Sequence, residues 1–221
     1  MKTIIETKNL TKIYKEAGQE LVALKNINLK VTKGELLAIM GPSGSGKTTL
    51  LNILGCLDRP TSGFYKLEGE EISQKSQGEL AKIRNQKIGF IFQTFNLLPR
   101  YDVISNIKLP TIYGRGQKVK KEEILKLLDK LGLKERAHHL PNQLSGGEQQ
   151  RTAIARALIN HPSIILADEP TGNLDRKSET EVMEILKKLN KEGVTLILVT
   201  HDPKIAQAAS RIIKLEDGEV I

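Results

Sequence analysis

The sequence is poor in the residues that many binding surfaces require. It has no tryptophan, one cysteine, and an aromatic content of only 4% in 221 residues. Single-stranded nucleic acid is usually bound on stacked aromatic side chains, so this scarcity argues against such a partner. The lone cysteine, Cys56, lies between Leu54 and Leu57 in a helical pattern. We therefore predict that Cys56 is a small buried residue rather than a nucleophile.

Long apolar runs are also missing. No run approaches the roughly 20 residues that span a bilayer, and the polar start of the chain lacks a signal-peptide core. These features predict a protein whose body lies in the cytosol. The formal charge of +8 comes from lysines and arginines spread along the chain, which is typical of a solvated surface rather than a patch for nucleic acid. The length suits one sizeable α/β domain.

The strongest motif follows Leu36–Met40, an apolar run of strand length. Four residues then separate two glycines, and Lys47 and Thr48 open a helical pattern, which together make a P-loop in its strand–loop–helix setting. Its curled backbone forms a nest of N–H groups for phosphate, aided by the helix N-terminus. Lys47 is expected to reach the β- and γ-phosphates, and Thr48 to bind Mg²⁺. The expected nucleotide-binding residues of this motif are Gly41, Ser43, Gly44, Ser45, Gly46, Lys47, Thr48 and Thr49.

Three further apolar runs of strand length end in polar side chains. Gln93 follows residues 88–92, Asp168 and Glu169 follow residues 164–167, and His201 follows residues 194–200. Since the carboxyl ends of parallel strands meet at one edge of a sheet, we expect these side chains to lie close together. An apolar strand that ends in acid is the Walker B pattern. It predicts that Asp168 holds Mg²⁺ and that Glu169 polarises the attacking water.

Ser145 and Glu148 have the spacing of a helix capping box before the helical pattern of residues 149–160. Capping alone leaves two successive glycines at a helix start unexplained, because their entropic cost is justified only where something approaches the backbone closely. The pattern therefore predicts a second phosphate-binding helix terminus. Position alone allows two roles for Tyr14, either an ordinary strand aromatic or a surface on which a purine ring stacks.

The remaining patterns predict local structure. We expect strands at residues 7–14 and 22–31 and a hairpin at residues 64–72. Helices are expected at residues 76–85, 122–131, 178–189 and 202–210, and a closing hairpin begins at residue 212. Residues 94–139 read as a mostly helical insertion, interrupted at Pro99, Pro110, Gly114 and Gly116. His138 and His139 have no partners at metal-ligand spacing, which favours a surface role.

In this order and spacing, the motifs resemble the ATP-binding cassette of ABC transporters along essentially the whole chain. Residues 41–49 resemble Walker A, Gln93 the Q-loop glutamine, residues 144–148 the signature, residues 164–169 Walker B, residues 173–175 the D-loop, and His201 the switch histidine. The resemblance implies an α/β P-loop NTPase core of the RecA-like kind, with an antiparallel β subdomain and an inserted α-helical subdomain. It implies one domain over residues 1–221, with the core in residues 1–93 and 158–221 and the helical subdomain in residues 94–157.

The resemblance also implies roles for single residues. Glu169, His201 and Gln93 would be catalytic, Mg²⁺ would be held by Thr48, Gln93 and Asp168, and Tyr14 would stack on adenine. Two copies would pack head to tail around ATP, as a homodimer formed on ATP binding. In that dimer the nucleotide of one copy would meet Ser145, Gly146, Gly147 and Asp175 of the other.

Residues 51–58, 92–99 and 167–175 further resemble the branch that contains MacB, LolD and FtsE. That branch implies a peripheral ATPase at the cytoplasmic face of the cell membrane, driving a permease with a large extracytoplasmic domain. The exported substrate would be a drug, peptide or lipoprotein. A rival is an FtsE-like switch for a cell-wall hydrolase, and a weaker one is a soluble ABC ATPase acting on DNA or ribosomes. A P-loop kinase or GTPase leaves residues 144–148 and His201 unexplained.

Overall fold

The computed structural model describes residues 2–16, 18–114 and 119–221, so Gly116, expected to break a helix, lies outside the described residues. Two long antiparallel strands, β1 (Thr3–Glu16) and β2 (Gln19–Thr32), open the chain. A short hairpin adds β4 (Ser62–Leu67) and β5 (Glu70–Glu71), which gives a sheet of order β2-β1-β4-β5. Both hairpins are confirmed. The strands of the first one are longer than predicted because the pairing continues through irregularities near Leu10.

A second sheet forms the centre of the molecule. Its strands are β3 (Leu36–Met40), β6 (Ile88–Phe92), β7 (Ile164–Asp168), β8 (Thr195–Val199), β9 (Arg211–Glu216) and β10 (Glu219–Val220). The order is β10-β9-β3-β8-β7-β6, and all described strands except β10 run parallel. Continuous apolar runs such as residues 195–199 become strands buried on both faces, as parallel sheets require.

The helices connect these strands. They are α1 (Lys47–Leu54), α2 (Gln77–Lys87), α3 (Val103–Ile112), α4 (Lys121–Lys130), α5 (Gly146–Leu158), α6 (Arg176–Lys191) and α7 (Pro203–Ala206), with 3₁₀ turns at Lys134–Arg136 and Pro141–Gln143. The last helix was expected to reach about Ser210. It ends at Ala206, and a turn follows in which Ala209 N–H donates to the Ala206 carbonyl.

The expectation that Pro110 interrupts the insertion is wrong. Helix α3 is capped by Asp102, whose side chain accepts from Ser105 N–H, and it continues through Pro110 to Ile112. Proline removes its own N–H bond and its ring crowds the carbonyl four residues earlier, and the helix ends two residues beyond it. The Pro110 carbonyl, which has no further turn to bond, accepts from the Asn85 side chain at 2.6 Å.

Two apolar clusters lie on opposite faces of the central sheet. Strand residues such as Leu37 and Ile197 pack toward α1 and the first sheet, whereas Leu36 and Leu198 pack toward α3 to α6. These side chains are at most 3% exposed, and each full burial stabilises the fold by about 1.5–3 kcal/mol. The strands are thus held firmly, and they fix the points from which the loops at their carboxyl ends start.

Candidate nucleotide-hydrolysis site

The carboxyl ends of four neighbouring strands, β3, β8, β7 and β6, meet at one edge of the sheet. A cleft of about 870 Å³ opens there between the P-loop and the β1–β2 hairpin. As expected from the strand ends, Gln93, Asp168, Glu169 and His201 all line this cleft. The other expected site residues in its wall are Tyr14, Ser43, Gly44, Gly46, Lys47, Thr48 and Thr49.

The P-loop has the backbone of an anion nest. Gly44 and Gly46 adopt φ of 80° and 98°, and Gly46 precedes α1 without a side-chain cap, so the helix N–H groups face the loop. A Cβ at Gly46 would lie 2.5 Å from the Ala23 carbonyl oxygen, and one at Gly41 would lie 2.1 Å from that of Leu215. Glycine is therefore required here for backbone packing as well as for curvature. The Lys47 ammonium donates to the Gly41 and Pro42 carbonyls at 2.9 and 2.7 Å.

Asp168 and Thr48 fit a hard cation beside that nest. Burial and the neighbouring Glu169 carboxylate raise the pKa of Asp168, while Lys47 and a hydrogen bond from Thr48 oppose the shift. A half-buried carboxylate with a raised pKa, next to a hydroxyl, is a donor set that suits Mg²⁺. Ser45, which was also expected to bind nucleotide, is buried and does not line the cleft.

Glu169 and His201 form a hydrogen-bonded pair. The Nδ1 atom of His201 lies 2.6 Å from Glu169 Oε1, and the His201 backbone N–H donates to the same oxygen at 2.9 Å. The Thr200 hydroxyl donates to Oε2 at 3.1 Å. Glu169 adopts a φ of 44°, in the left-handed region that non-glycine residues rarely occupy. Such backbone strain is typical of side chains held for chemistry.

Tyr14 lies at the rim of the cleft with exposed Leu21 and Val22. Its hydroxyl donates to Asp58 Oδ2 at 2.9 Å, and the Lys12 ammonium lies 4.7 Å from the centre of its ring. Burial, with the hydrogen bond to Asp58, raises the pKa of Tyr14. Asp58 thus fixes the orientation of this ring, a contact that no local sequence pattern predicts.

Gln93 begins a loop with an unusual backbone. Phe95 and Asn96 have φ of 58° and 50°, and the Arg156 guanidinium donates to both of their carbonyls. Asn173 Nδ2 donates to the Gln93 carbonyl at 3.0 Å. Sequence reasoning missed Arg156, because one arginine on a largely apolar helix face carries no distinctive pattern. It connects this loop to α5.

The signature residues lie elsewhere. Ser145 caps α5 and forms the predicted reciprocal capping box with Glu148. Ser145, Gly146 and Gly147 do not line the described cleft, and neither does Asp175, which caps α6. A Cβ at Gly147 would lie 2.7 Å from Ser178 Oγ. The close approach that the second glycine implied is therefore present within the chain, against α6.

A P-loop between a strand and a helix, with a Walker B acid and a histidine at adjoining strand ends, defines a P-loop nucleoside triphosphatase. The family described as "ABC transporter" matches residues 24–172 of this chain. The ABC transporter ATP-binding protein YvrO of Bacillus subtilis (strain 168) is 52% identical over 214 residues, covering 96% of this chain and 93% of YvrO. The chain therefore belongs to the ABC transporter family, and it is an ATP-hydrolysing cassette.

Two further comparisons support this conclusion. The ATP-binding cassette MJ0796, solved as a dimer in a post-hydrolysis state with ADP and Pi, matches with a TM-score of 0.90 and 48% identity, covering 98% of this chain and 96% of that one. The macrolide export ATP-binding/permease protein MacB of Bdellovibrio bacteriovorus is 54% identical over 218 residues. This chain spans 33% of the length of that MacB. Among the described residues, no helix has the length and apolarity to cross a membrane.

Proposed function

We propose that the protein is the ATPase subunit of a membrane transporter, in which two copies bind ATP between them and drive a MacB-type permease. The observation that carries this proposal is the separation of the site into two parts. The P-loop, Asp168, Glu169 and His201 share one cleft, whereas the helix terminus at Ser145 lies outside it. A second copy packed head to tail would supply that terminus, as the dimeric form of the similar MJ0796 suggests.

The hydrolytic step follows from the side chains that line the cleft. Lys47 and the P-loop N–H groups would bind the β- and γ-phosphates, and Thr48, Asp168 and Gln93 would hold Mg²⁺, which neutralises charge on the phosphates. Glu169 would accept a proton from the attacking water. His201, already bonded to Glu169, would orient that carboxylate and contact the γ-phosphate. Tyr14 would stack on adenine at the rim.

A second cavity indicates where the cassette would transmit its conformational change to the permease. About 540 Å³ in volume, it lies between the core and α3, and Phe92, Asn96 and Arg156 contribute to its wall. Gln93 reaches the ATP cleft from the same loop, so a ligand in either cavity would contact the same segment of backbone. We propose that a permease segment docks there, and that residues 94–157 act as a helical subdomain between it and the core in residues 1–93 and 158–221.

The proposed partner is an integral permease with a large extracytoplasmic domain, and the cassette would lie at the cytoplasmic face of the membrane. The substrate class would be a drug, peptide or lipoprotein. Support comes from the MacB relative, whose name joins ATP binding to macrolide export and a permease.

The test is affinity purification of the tagged protein from native membranes in mild detergent, with and without an Arg156→Met substitution. We expect a permease to co-purify with the unsubstituted protein and to be reduced with the variant. Recovery of a cell-wall hydrolase complex would replace transport by a switch function. Recovery of ribosomes or DNA-bound complexes without a membrane protein would contradict the proposal.

A further inference from the structure

An ion pair joins the start of α5 to the 3₁₀ turn Lys134–Arg136. Arg136 Nε donates to Glu148 Oε1 at 2.8 Å, and Glu148 Oε2 accepts from Ser145 N–H, also at 2.8 Å. The Glu148 N–H donates in turn to Ser145 Oγ at 3.2 Å. The two carboxylate oxygens therefore have separate partners, since one caps the helix and the other binds the arginine.

A carboxylate at this position conflicts with phosphate binding. Free N–H groups at a helix N-terminus attract anions, but Glu148 adds a negative charge in the first turn of α5. Burial acts to raise the pKa of Glu148, yet hydrogen bonds from Ser145 and Arg136 hold it below its ordinary value. Glu148 is therefore negative at neutral pH. An approaching triphosphate meets a like charge unless a cation compensates it.

We propose that Arg136 is a positioning residue for the ATP site shared by two copies. Its guanidinium neutralises Glu148 and keeps that carboxylate turned toward the Ser145 backbone. The start of α5 can then receive the γ-phosphate of the nucleotide held by the other copy. The inference rests on the proposed function, because it requires α5 of one copy to meet ATP bound to its partner.

A structural role of Arg136 that does not depend on Glu148 makes a different prediction. Glutamine serves a capping box as well as glutamate does, so Glu148→Gln keeps the cap and removes the charge. If Arg136 acts by neutralising Glu148, its loss matters only while residue 148 is charged. If Arg136 instead fixes the 3₁₀ turn through contacts other than Glu148, its loss matters equally in both backgrounds. A double-mutant cycle separates the two roles.

The experiment uses the full chain in a Glu169→Gln background, which slows hydrolysis, and measures the dimer dissociation constant at saturating ATP by sedimentation velocity. We expect Arg136→Met to weaken the dimer about tenfold at low ionic strength and less at high salt, because surface charges are screened. In the Glu148→Gln background the same change should shift the constant less than about twofold. Affinity of the monomer for ATP should not change, since Arg136 does not line the described cleft.

Arg211→Met is the matched control. Arg211 Nε donates to Glu35 at 2.7 Å, and both arginine side chains are 43% exposed. This control should leave the dimer constant unchanged. An Arg136→Met dimer as tight as the reference would overturn the inference alone, and so would equal weakening in both backgrounds or by the control. Absence of any ATP-dependent dimer in the Glu169→Gln protein would overturn the proposed function, and this inference with it.

Discussion

Glu169 Oε1 lies 2.6 Å from His201 Nδ1, although 32 residues separate the two in the chain. Neighbouring strands β7 and β8 bring the pair together, because each residue follows the end of its strand. The Glu169 side chain is 16% exposed and that of His201 is 73% exposed. The carboxylate is thus held from within, while the imidazole faces the cleft, where a phosphate would approach.

This pairing predicts the behaviour of His201→Ala. The variant should bind ATP as the unsubstituted protein does, because Lys47 and the P-loop backbone are untouched. Its turnover should fall by about 10²–10⁴-fold, the range for loss of one positioned acid–base group. Steady-state phosphate release and nucleotide binding, measured on the same preparation, check the prediction. Turnover within about twofold of the unsubstituted protein would refute the role of His201.

Substitutions at Ser145 test the second part of the proposed site. Aspartate and asparagine both cap helices about as well as serine, so α5 should persist in either variant. Ser145→Asp places a negative charge where the partner's γ-phosphate is expected, and it should lower ATPase activity at least about tenfold more than Ser145→Asn does. Circular dichroism of the two variants controls for folding. Equal activities would show that no phosphate approaches Ser145.

Cys56 provides a prediction about pH. Burial raises the pKa of its thiol to about 12. Because the folded-state pKa lies above the unfolded value of about 8.5, the stabilising contribution is complete below that value and is lost as pH rises toward the folded pKa. The free energy of unfolding should fall with pH above about 9 with a steeper slope than in Cys56→Ala, by up to about 1.4 kcal/mol per pH unit. Urea titrations of both proteins over this range measure the difference, and identical slopes would contradict it.

Two glycines in the hairpin of β4 and β5 allow the cost of backbone strain to be measured separately from the cost of steric crowding. Gly63 and Gly69 both have positive φ, 80° and 83°, but a Cβ at Gly63 would lie 2.3 Å from the Asn9 carbonyl oxygen, whereas Gly69 has open space. Gly69→Ala should cost roughly 1–2 kcal/mol from backbone strain. Gly63→Ala should cost about 1–3 kcal/mol more, because the first sheet must shift. Urea denaturation of both variants checks the order, and equal losses would contradict it.

Much of the site was predictable because its signals are local. The apolar run Leu36–Met40, the spaced glycines and the following helix are contiguous, and they predicted the P-loop correctly. The parallel-strand rule predicts that Gln93, Asp168, Glu169 and His201 lie close together, and all four line one cleft. The fold class and the family were likewise confirmed.

The remainder depends on contacts between distant segments. Arg156 donates a hydrogen bond to a loop about 60 residues away in the chain. Tyr14 is oriented by Asp58, which lies in the connection between α1 and β4. Gly147 is small because Ser178 lies against it, a neighbour that only the packing of α5 on α6 reveals. Pro110 was read as a break because proline is unfavourable inside a helix, whereas α3 continues for two residues beyond it. None of these pairs leaves a periodic pattern in the sequence.

The central claim is that ATP completes its site between two copies and that Glu169 then activates water. The most direct measurement is light scattering of Glu169→Gln at saturating ATP, because glutamine keeps the side-chain shape while removing the base. We expect a dimer with ATP, a monomer without nucleotide, and phosphate release reduced by about 10²–10⁴-fold. A monomer at saturating ATP, or hydrolysis at the unsubstituted rate, would contradict the account.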